Sequence, residues 1–129
     1  MPIDIRWGNE DKTYVYQTYP SKWTWKEHSE IRKKYHEMIR TVSQRVDTLA
    51  NFTDVSTLPT NLFSNMREVT SDRLENEGYF LILEAGFFVR SMFQIIGRVV
   101  PTVAKNYMLV SSLEEAQKII SSGRADEAL

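Results

Sequence analysis

Short β-type segments alternate with amphipathic helical segments along almost the whole chain, and this alternation is the strongest constraint on the fold. A short stretch of mixed composition at 3–7 predicts a weak strand, and a stretch rich in aromatic and β-branched residues at 13–19 predicts a second one. Three further strand-like stretches follow, separated by helical patterns, at 46–52, 79–83 and 107–110. Alternating strands and helices favour parallel pairing with right-handed crossovers. The pattern therefore predicts an α/β fold of order β-β-α-β-α-β-α-β-α, with a mostly parallel sheet and an N-terminal antiparallel hairpin. It does not give the strand order.

The first helix has the clearest local signal. Thr24 and Glu27 have the spacing of a capping box, in which each side chain satisfies the backbone N–H of the other residue. Apolar residues then recur at helical spacing and predict a helix over about 25–45: Ile31, Tyr35, Met38, Ile39, Val42 and Val46. Further helices are expected at 61–74 and 88–99, with Pro101 at or just beyond the end of the latter. A second capping box, Ser112 with Glu115, begins the last helix.

The length of 129 residues fits one domain, and the fifteen Trp, Tyr and Phe residues predict a packed core. We expect a single domain over 1–121 and a flexible polar tail over 122–129, with Gly123 ending the last helix. The formal charge of −1 argues against a general nucleic-acid binder. No apolar run reaches the roughly 18–20 residues that cross a bilayer, and the N-terminus does not resemble a signal peptide. A cytoplasmic protein without stable membrane insertion is expected.

The sequence contains no complete catalytic or metal-binding motif. The absence of Cys excludes thiol nucleophiles, disulfides and Cys-based zinc sites. His28 and His36 lie roughly 12 Å apart along the first helix, too far to share one metal, and we expect both to be solvated. Gly-x-Gly and Gly-x-Ser-x-Gly motifs are also absent. These observations predict a protein that is not an enzyme and that uses no metal and no cofactor.

Two loops should meet at the carboxyl edge of the sheet, where open α/β folds bind ligands. The first loop offers a phosphoacceptor or anion site of three hydroxyls and an amide: Ser56, Thr57, Thr60 and Asn61. A helix N-terminus favours negative charge there, although capping of the helix by Ser56 or Thr60 is the alternative. The second loop and the helix after it offer a ligand or partner edge: Glu84, Gly86, Phe88 and Arg90. The alternative is that Glu84 is a strand-end residue that meets solvent or caps the next helix.

The third helix carries Arg90 and Arg98 among large apolar residues. Phe87, Phe88 and Phe93 cannot all point to one side of a helix. Some apolar surface is therefore expected to remain for a protein partner or for a second copy of the chain. The alternative is a helix that is buried on most sides between the sheet and a neighbouring element.

At this length, the order of elements resembles the SpoIIAA-like fold, which includes STAS domains and anti-anti-sigma factors and is similar to lipid-binding CRAL-TRIO domains. More closely, the chain looks like short standalone bacterial STAS-like proteins. The resemblance covers roughly residues 3–121. It rests on Trp23-Thr24-Trp25, on Val46-Asp47 through Asp54 to Leu58-Pro59, on Phe88-Val89-Arg90 through Val100-Pro101, and on Ser111-Ser112-Leu113-Glu114-Glu115-Ala116.

The resemblance implies a non-enzymatic regulatory domain that binds a protein partner or a second copy of itself. In anti-anti-sigma factors, a kinase phosphorylates a Ser in an Asp-Ser-Ser-Gly type turn. Pro59-Thr60-Asn61-Leu62 stands in that place here, so only Thr60 keeps a hydroxyl and the phosphorylation turn is degenerate. The alternative function is binding of a small anionic or lipid-like molecule between the third helix and the sheet.

Overall fold

The computed structural model of the chain describes residues 3–128, with side chains over 3–122. Over this range the fold is α/β, which is the predicted fold class. It has one five-stranded mixed sheet and five helices. The elements are β1 (Asp4–Trp7), β2 (Tyr14–Thr18), α1 (Trp25–Ile39), β3 (Val46–Asn51), α2 (Leu62–Val69), β4 (Glu77–Leu83), α3 (Phe87–Val99), α4 (Pro101–Asn106), β5 (Tyr107–Val110) and α5 (Leu113–Ala128).

The strands lie in the sheet in chain order, β1-β2-β3-β4-β5. The β1–β2 pair is the predicted antiparallel hairpin, and all other pairs are parallel. Ala50 and Ile82 face one side of the sheet, where they share a core with α1 to α4. Leu49 and Leu81 face the other side, where α5 contributes Ala116 and Ile120 to the core. Because helices cover both faces of β4, its apolar run Leu81, Ile82 and Leu83 is buried continuously.

Helix α1 ends at Ile39, six residues before the predicted end. The side-chain amide of Asn76 donates to the carbonyls of Ile39, Val42 and Gln44 at 2.8, 3.3 and 3.1 Å. These contacts satisfy carbonyls that a longer helix would have used itself. Val42 lies in the loop after α1 and packs against the core beside β3, which explains why the apolar stripe continues past the end of the helix.

Two other predicted boundaries are wrong, and one helix was not predicted. Helix α2 ends at Val69 instead of residue 74, because the hydroxyl of Thr70 donates to the Met66 carbonyl and the N–H of Leu74 donates to Glu77. Helix α3 ends at Val99 with Pro101 just beyond it, as predicted, but Pro101 also begins a helix that was not predicted, α4, as its first residue, a position that suits proline. Helix α5 continues through Gly123 to Ala128, so Gly123 does not end it. Residues 1, 2 and 129 lie outside the described part of the chain.

Gly78 is required by the close approach of Asp47. The pairing of β3 with β4 shifts register between Val46 and Thr48, and Asp47 is fully buried there. Its carboxylate accepts the N–H of Tyr79 at 2.8 Å and pairs with Arg45 at 3.2 Å. A Cβ at position 78 would overlap this carboxylate. Gly86, by contrast, has an ordinary φ of −67° and open space around it.

We expect Gly78→Ala to lower the free energy of unfolding by about 2 kcal/mol or more, since the added methyl must displace a buried, paired carboxylate. The matched substitution Gly86→Ala should change it by less than about 1 kcal/mol. Urea denaturation of both variants measures the difference. Equal effects of the two substitutions would show that the Asp47 contact does not constrain position 78.

Candidate functional site

The carboxyl ends of β3, β4 and β5 meet at one edge of the sheet, so the two candidate loops are neighbours, as expected. Asn51 is in register with Leu83, and Leu83 is in register with Val110. Beyond the strands, the N–H of Phe52 donates to the Leu83 carbonyl at 2.9 Å. The loops after β3 and β4 therefore leave the sheet side by side.

A hydrogen-bonded chain of polar side chains crosses this edge. The side-chain amide nitrogen of Asn51 donates to the Tyr16 hydroxyl at 2.9 Å, and the side-chain oxygen Oδ1 of Asn51 accepts the N–H of Thr53 at 2.9 Å. The Thr53 hydroxyl donates to Glu84 Oε2 at 2.9 Å. Glu84 has a left-handed φ of 58°, and its N–H donates to the Val110 carbonyl. Glu84 is thus exposed but held in place by hydrogen bonds. The sequence analysis did not predict the other three residues of this hydrogen-bonded series, Tyr16, Asn51 and Thr53.

The loop between β3 and α2 exposes the predicted phosphoacceptor residues Ser56, Thr57, Thr60 and Asn61. The hydroxyl and N–H of Ser56 both bond the Ser21 carbonyl, and the Thr60 carbonyl accepts the indole N–H of Trp25 at 2.7 Å. The N-cap of α2 is Asn61, which has a φ of 57° and makes no side-chain cap bond. Capping of α2 by Ser56 or Thr60 is therefore wrong, whereas the phosphoacceptor site stays a prediction.

The four residues predicted as a ligand or partner edge do not all lie on one surface. Glu84 and Arg90 line a cleft of about 390 Å³ between the starts of α3 and α5, together with Ser111 and Glu115. Gly86 is the N-cap of α3. The N–H and hydroxyl of Ser111 each donate to Glu115 at 2.9 Å, which lowers the pKa of Glu115. With one arginine and two carboxylates, this cleft does not select clearly for an anion.

The second capping box forms only in part. The N–H of Glu115 donates to the Ser112 hydroxyl at 3.1 Å, as the spacing predicts. The Glu115 carboxylate, however, bonds Ser111 instead of the N–H of Ser112. Ser111, in the loop before α5, therefore replaces the predicted residue Ser112 as the donor to the Glu115 carboxylate.

Helix α3 leaves large apolar side chains in solvent. Phe87 is 85% exposed, Phe88 57%, Ile95 45% and Val99 45%, and we call these four residues the α3 face. The opposite side of the helix buries Val89, Phe93 and Ile96 in the core. Phe88, a predicted edge residue, belongs to this face and lies outside the cleft beside Arg90. The apolar surface expected on the third helix is present, and burial on most sides is wrong.

Among the side chains of residues 3–122, the most extensive buried ion-pair cluster surrounds Glu77, at the opposite, amino-terminal end of β4. Its carboxylate accepts from Arg32 at 3.0 Å, from His36 at 3.0 Å and from Arg73 at 3.5 Å. Glu77 is only 5% exposed, and its charge helps to raise the pKa of Arg32 although burial of the guanidinium opposes this. No local pattern connects residues 32 and 77, so the sequence did not predict the cluster.

Both histidines are buried, which corrects the expectation of solvated side chains. His28 packs against the rings of Trp23 and Trp25, and its Nδ1 lies 3.0 Å from the Tyr19 hydroxyl. A cavity of about 20 Å³ adjoins it, lined in part by Gln17, Thr48 and Tyr107. That volume holds about one water molecule and no substrate. The described side chains, residues 3–122, provide no group of three potential metal ligands from His, Asp and Glu.

Comparison of the sequence with protein-family models and with curated proteins finds no match. Within residues 3–128, no helix has both the length and the apolar character that spanning a membrane requires.

Burial of His28 makes stability depend on pH. Burial, with a smaller effect from Arg32, lowers the pKa of His28 to about 4. The unfolded chain takes up this proton near pH 6.5, so it binds more protons than the folded chain between those values. Stability is therefore lost as pH falls from about 6.5 to 4, by on the order of 3 kcal/mol from this group.

We expect His28→Gln to reduce the fall in the free energy of unfolding between pH 7 and pH 4.5. Urea denaturation of the variant and the natural chain at successive pH values measures it. The comparison uses the pH slope, because the substitution also changes packing around Trp23 and Trp25 at every pH. An unchanged slope would contradict the assignment.

Proposed function

We propose that the protein is a non-enzymatic interaction domain with a STAS-like, SpoIIAA-like fold that binds a partner protein through the α3 face. The opening hairpin and the alternating strands and helices support the fold assignment. We further propose a cytoplasmic location and a regulatory role, in keeping with the sequence resemblance. The exposed residues of α3 are the observation that carries the proposal of function.

The α3 face has the geometry of a helix-docking surface. Phe88, Met92, Ile95 and Val99 recur at spacings of four, three and four, which places them along one side of the helix. Met92 is half-buried and joins the exposed residues to the core. Covering this stripe would contribute a hydrophobic free energy of about 25 cal/mol for each Å² of apolar surface removed from water, which the entropy lost on association partly offsets.

The charges around α3 favour an acidic partner. From residue 85 to residue 112 the chain has three basic residues, Arg90, Arg98 and Lys105, and no Asp or Glu. An amphipathic helix with apolar residues at matching spacing and acidic flanks would complement this segment. Pairing with a second copy is less favourable, because it brings two basic segments together.

The double variant Ile95→Glu, Val99→Glu should lose the partner while the free energy of unfolding changes little, because both side chains are partly in solvent. Quantitative pull-downs compare it with Ser29→Glu, Ser43→Glu, which adds the same charge at exposed positions far along the chain. The expected result is a protein retained by the natural chain and by the control but lost by the α3 variant.

Sedimentation of the purified chain directly tests whether the α3 face binds a second copy of the chain. A dimer that the α3 variant abolishes would identify self-association as the use of this face. A partner that all three chains retain would contradict the α3 face as its binding site.

In the same pull-downs, Ser56→Ala, Thr60→Ala and Arg90→Ala test the carboxyl edge, and phosphopeptide mass spectrometry tests modification of Ser56, Thr57 and Thr60.

The alternative function, binding of a small anionic or lipid-like molecule, has one observation in its favour. A groove of about 350 Å³ lies between α3 and the sheet, lined by apolar residues that include Ile82, Phe93 and Leu109, with Arg98 beside them. The volume is within the range of small-molecule sites. Native mass spectrometry of the purified chain should then show a bound mass, and thermal stability should rise with added fatty acid.

A further inference from the structure

The sheet ends at β5, which has no strand on its outer side among the described residues. The Val110 carbonyl accepts the N–H of Glu84 from the β4 side. Backbone groups of successive strand residues point to alternate sides, so the groups of Met108 also face β4. The N–H and carbonyl of Leu109 therefore point outward, away from the sheet. An outward-facing pair of this kind is the main-chain template that an added strand uses.

An apolar groove runs beside this free edge. It is the groove of about 350 Å³ described above, bounded by α3, α4 and β5. Leu109 turns its side chain into the core on that side of the sheet, together with Ile82 and Phe93. Gly97 and Ala104 face each other across the α3–α4 contact, where a Cβ at position 97 would lie 3.7 Å from Ala104. A side chain from an added strand would enter this groove.

The groove selects for negative charge. Of the residues that the structure describes, Arg98 is the one charged residue that lines it, and Lys105 follows Ala104 on α4. Acidic residues are absent from the whole segment 85–112 that builds the groove and the edge strand. A second copy paired through β5 would place Arg98 of both chains at the same interface, which disfavours a twofold dimer at this edge.

We infer that β5 binds an extended acidic peptide segment as a sixth strand. The Leu109 N–H and carbonyl bond the peptide backbone, an apolar side chain of the peptide occupies the groove, and a neighbouring carboxylate pairs with Arg98. This inference does not rest on the proposed function, because the α3 face and the β5 groove use different apolar residues. A fatty acid fits the groove but has no backbone to bond Leu109.

A synthetic probe tests the inference. It is a fluorescein-labelled eight-residue peptide in which valine, threonine and leucine alternate with glutamate, and the control peptide has lysine in place of glutamate. Fluorescence anisotropy measures binding, and amide exchange of the ¹⁵N-labelled chain reports on β5. We expect the acidic peptide to bind about tenfold more tightly than the lysine peptide. It should also slow exchange of the Leu109 amide.

Two variants separate this groove from the α3 face. Ala104→Trp fills the groove from an exposed position, and Arg98→Glu reverses its charge; the first should abolish binding and the second should reverse the preference between the two peptides. The neutral variant Ile95→Ser, Val99→Ser, which removes apolar surface from the α3 face without adding charge beside Arg98, should bind the acidic peptide normally, so loss of the α3 partner leaves this result intact. Circular dichroism confirms that each variant is folded.

Three outcomes would overturn the inference. The first is absence of binding by the acidic peptide. The second is binding that Ala104→Trp leaves unchanged or that does not slow exchange of the Leu109 amide. The third is a dimer in sedimentation that Ala104→Trp dissociates, which would assign the groove to a second copy. Decanoate serves as the small-ligand arm, and binding of decanoate with no binding of the acidic peptide would assign the groove to lipid-like anions.

Discussion

The buried carboxylate of Glu77 holds the amino-terminal end of the fold together. Arg32 and His36 reach it from α1, and Arg73 reaches it from the turn before β4. Arg73 also donates to the carbonyls of Glu77 and Gly78, so the turn and the strand are bonded as one unit. A buried ion cluster of this kind is costly to break, because removal of one partner leaves an uncompensated charge. Helix α1 is thus fixed against β4 at the end of the sheet away from the candidate sites.

The opposite edge has a different character. Its side chains are exposed, its bonds link neighbouring loops, and two of its residues, Asn61 and Glu84, have a left-handed backbone. Such backbone conformations are unfavourable for residues other than glycine and often occur near functional sites. The exposed apolar residues lie on α3, which begins at this edge. Rigid packing at one end therefore supports an accessible surface at the other.

Sequence-based prediction succeeded where the signal is local. The capping box of Thr24 and Glu27 forms with both of its reciprocal bonds. The hairpin and the continuous apolar run in β4 also lie where predicted. Prediction failed where a residue distant in the sequence decides the outcome. The Asn76 side chain bonds the carbonyl of Ile39 at the end of α1, 37 positions away, and Glu77 pairs with the buried side chain of His36, 41 positions away. The carboxyl-edge loops were placed correctly, because parallel strands must end at a common edge.

The sequence by itself determined the class of fold, the order of the strands and of every helix except α4, and the apolar excess of the third helix, because these depend on periodicity and composition within short segments. The tertiary structure alone decided the strand order, the burial of both histidines and the free outer edge of β5. Those features depend on which segments become neighbours in space. A chain with charges balanced over its whole length can therefore present a surface that is locally apolar and basic, as the segment from 85 to 112 does.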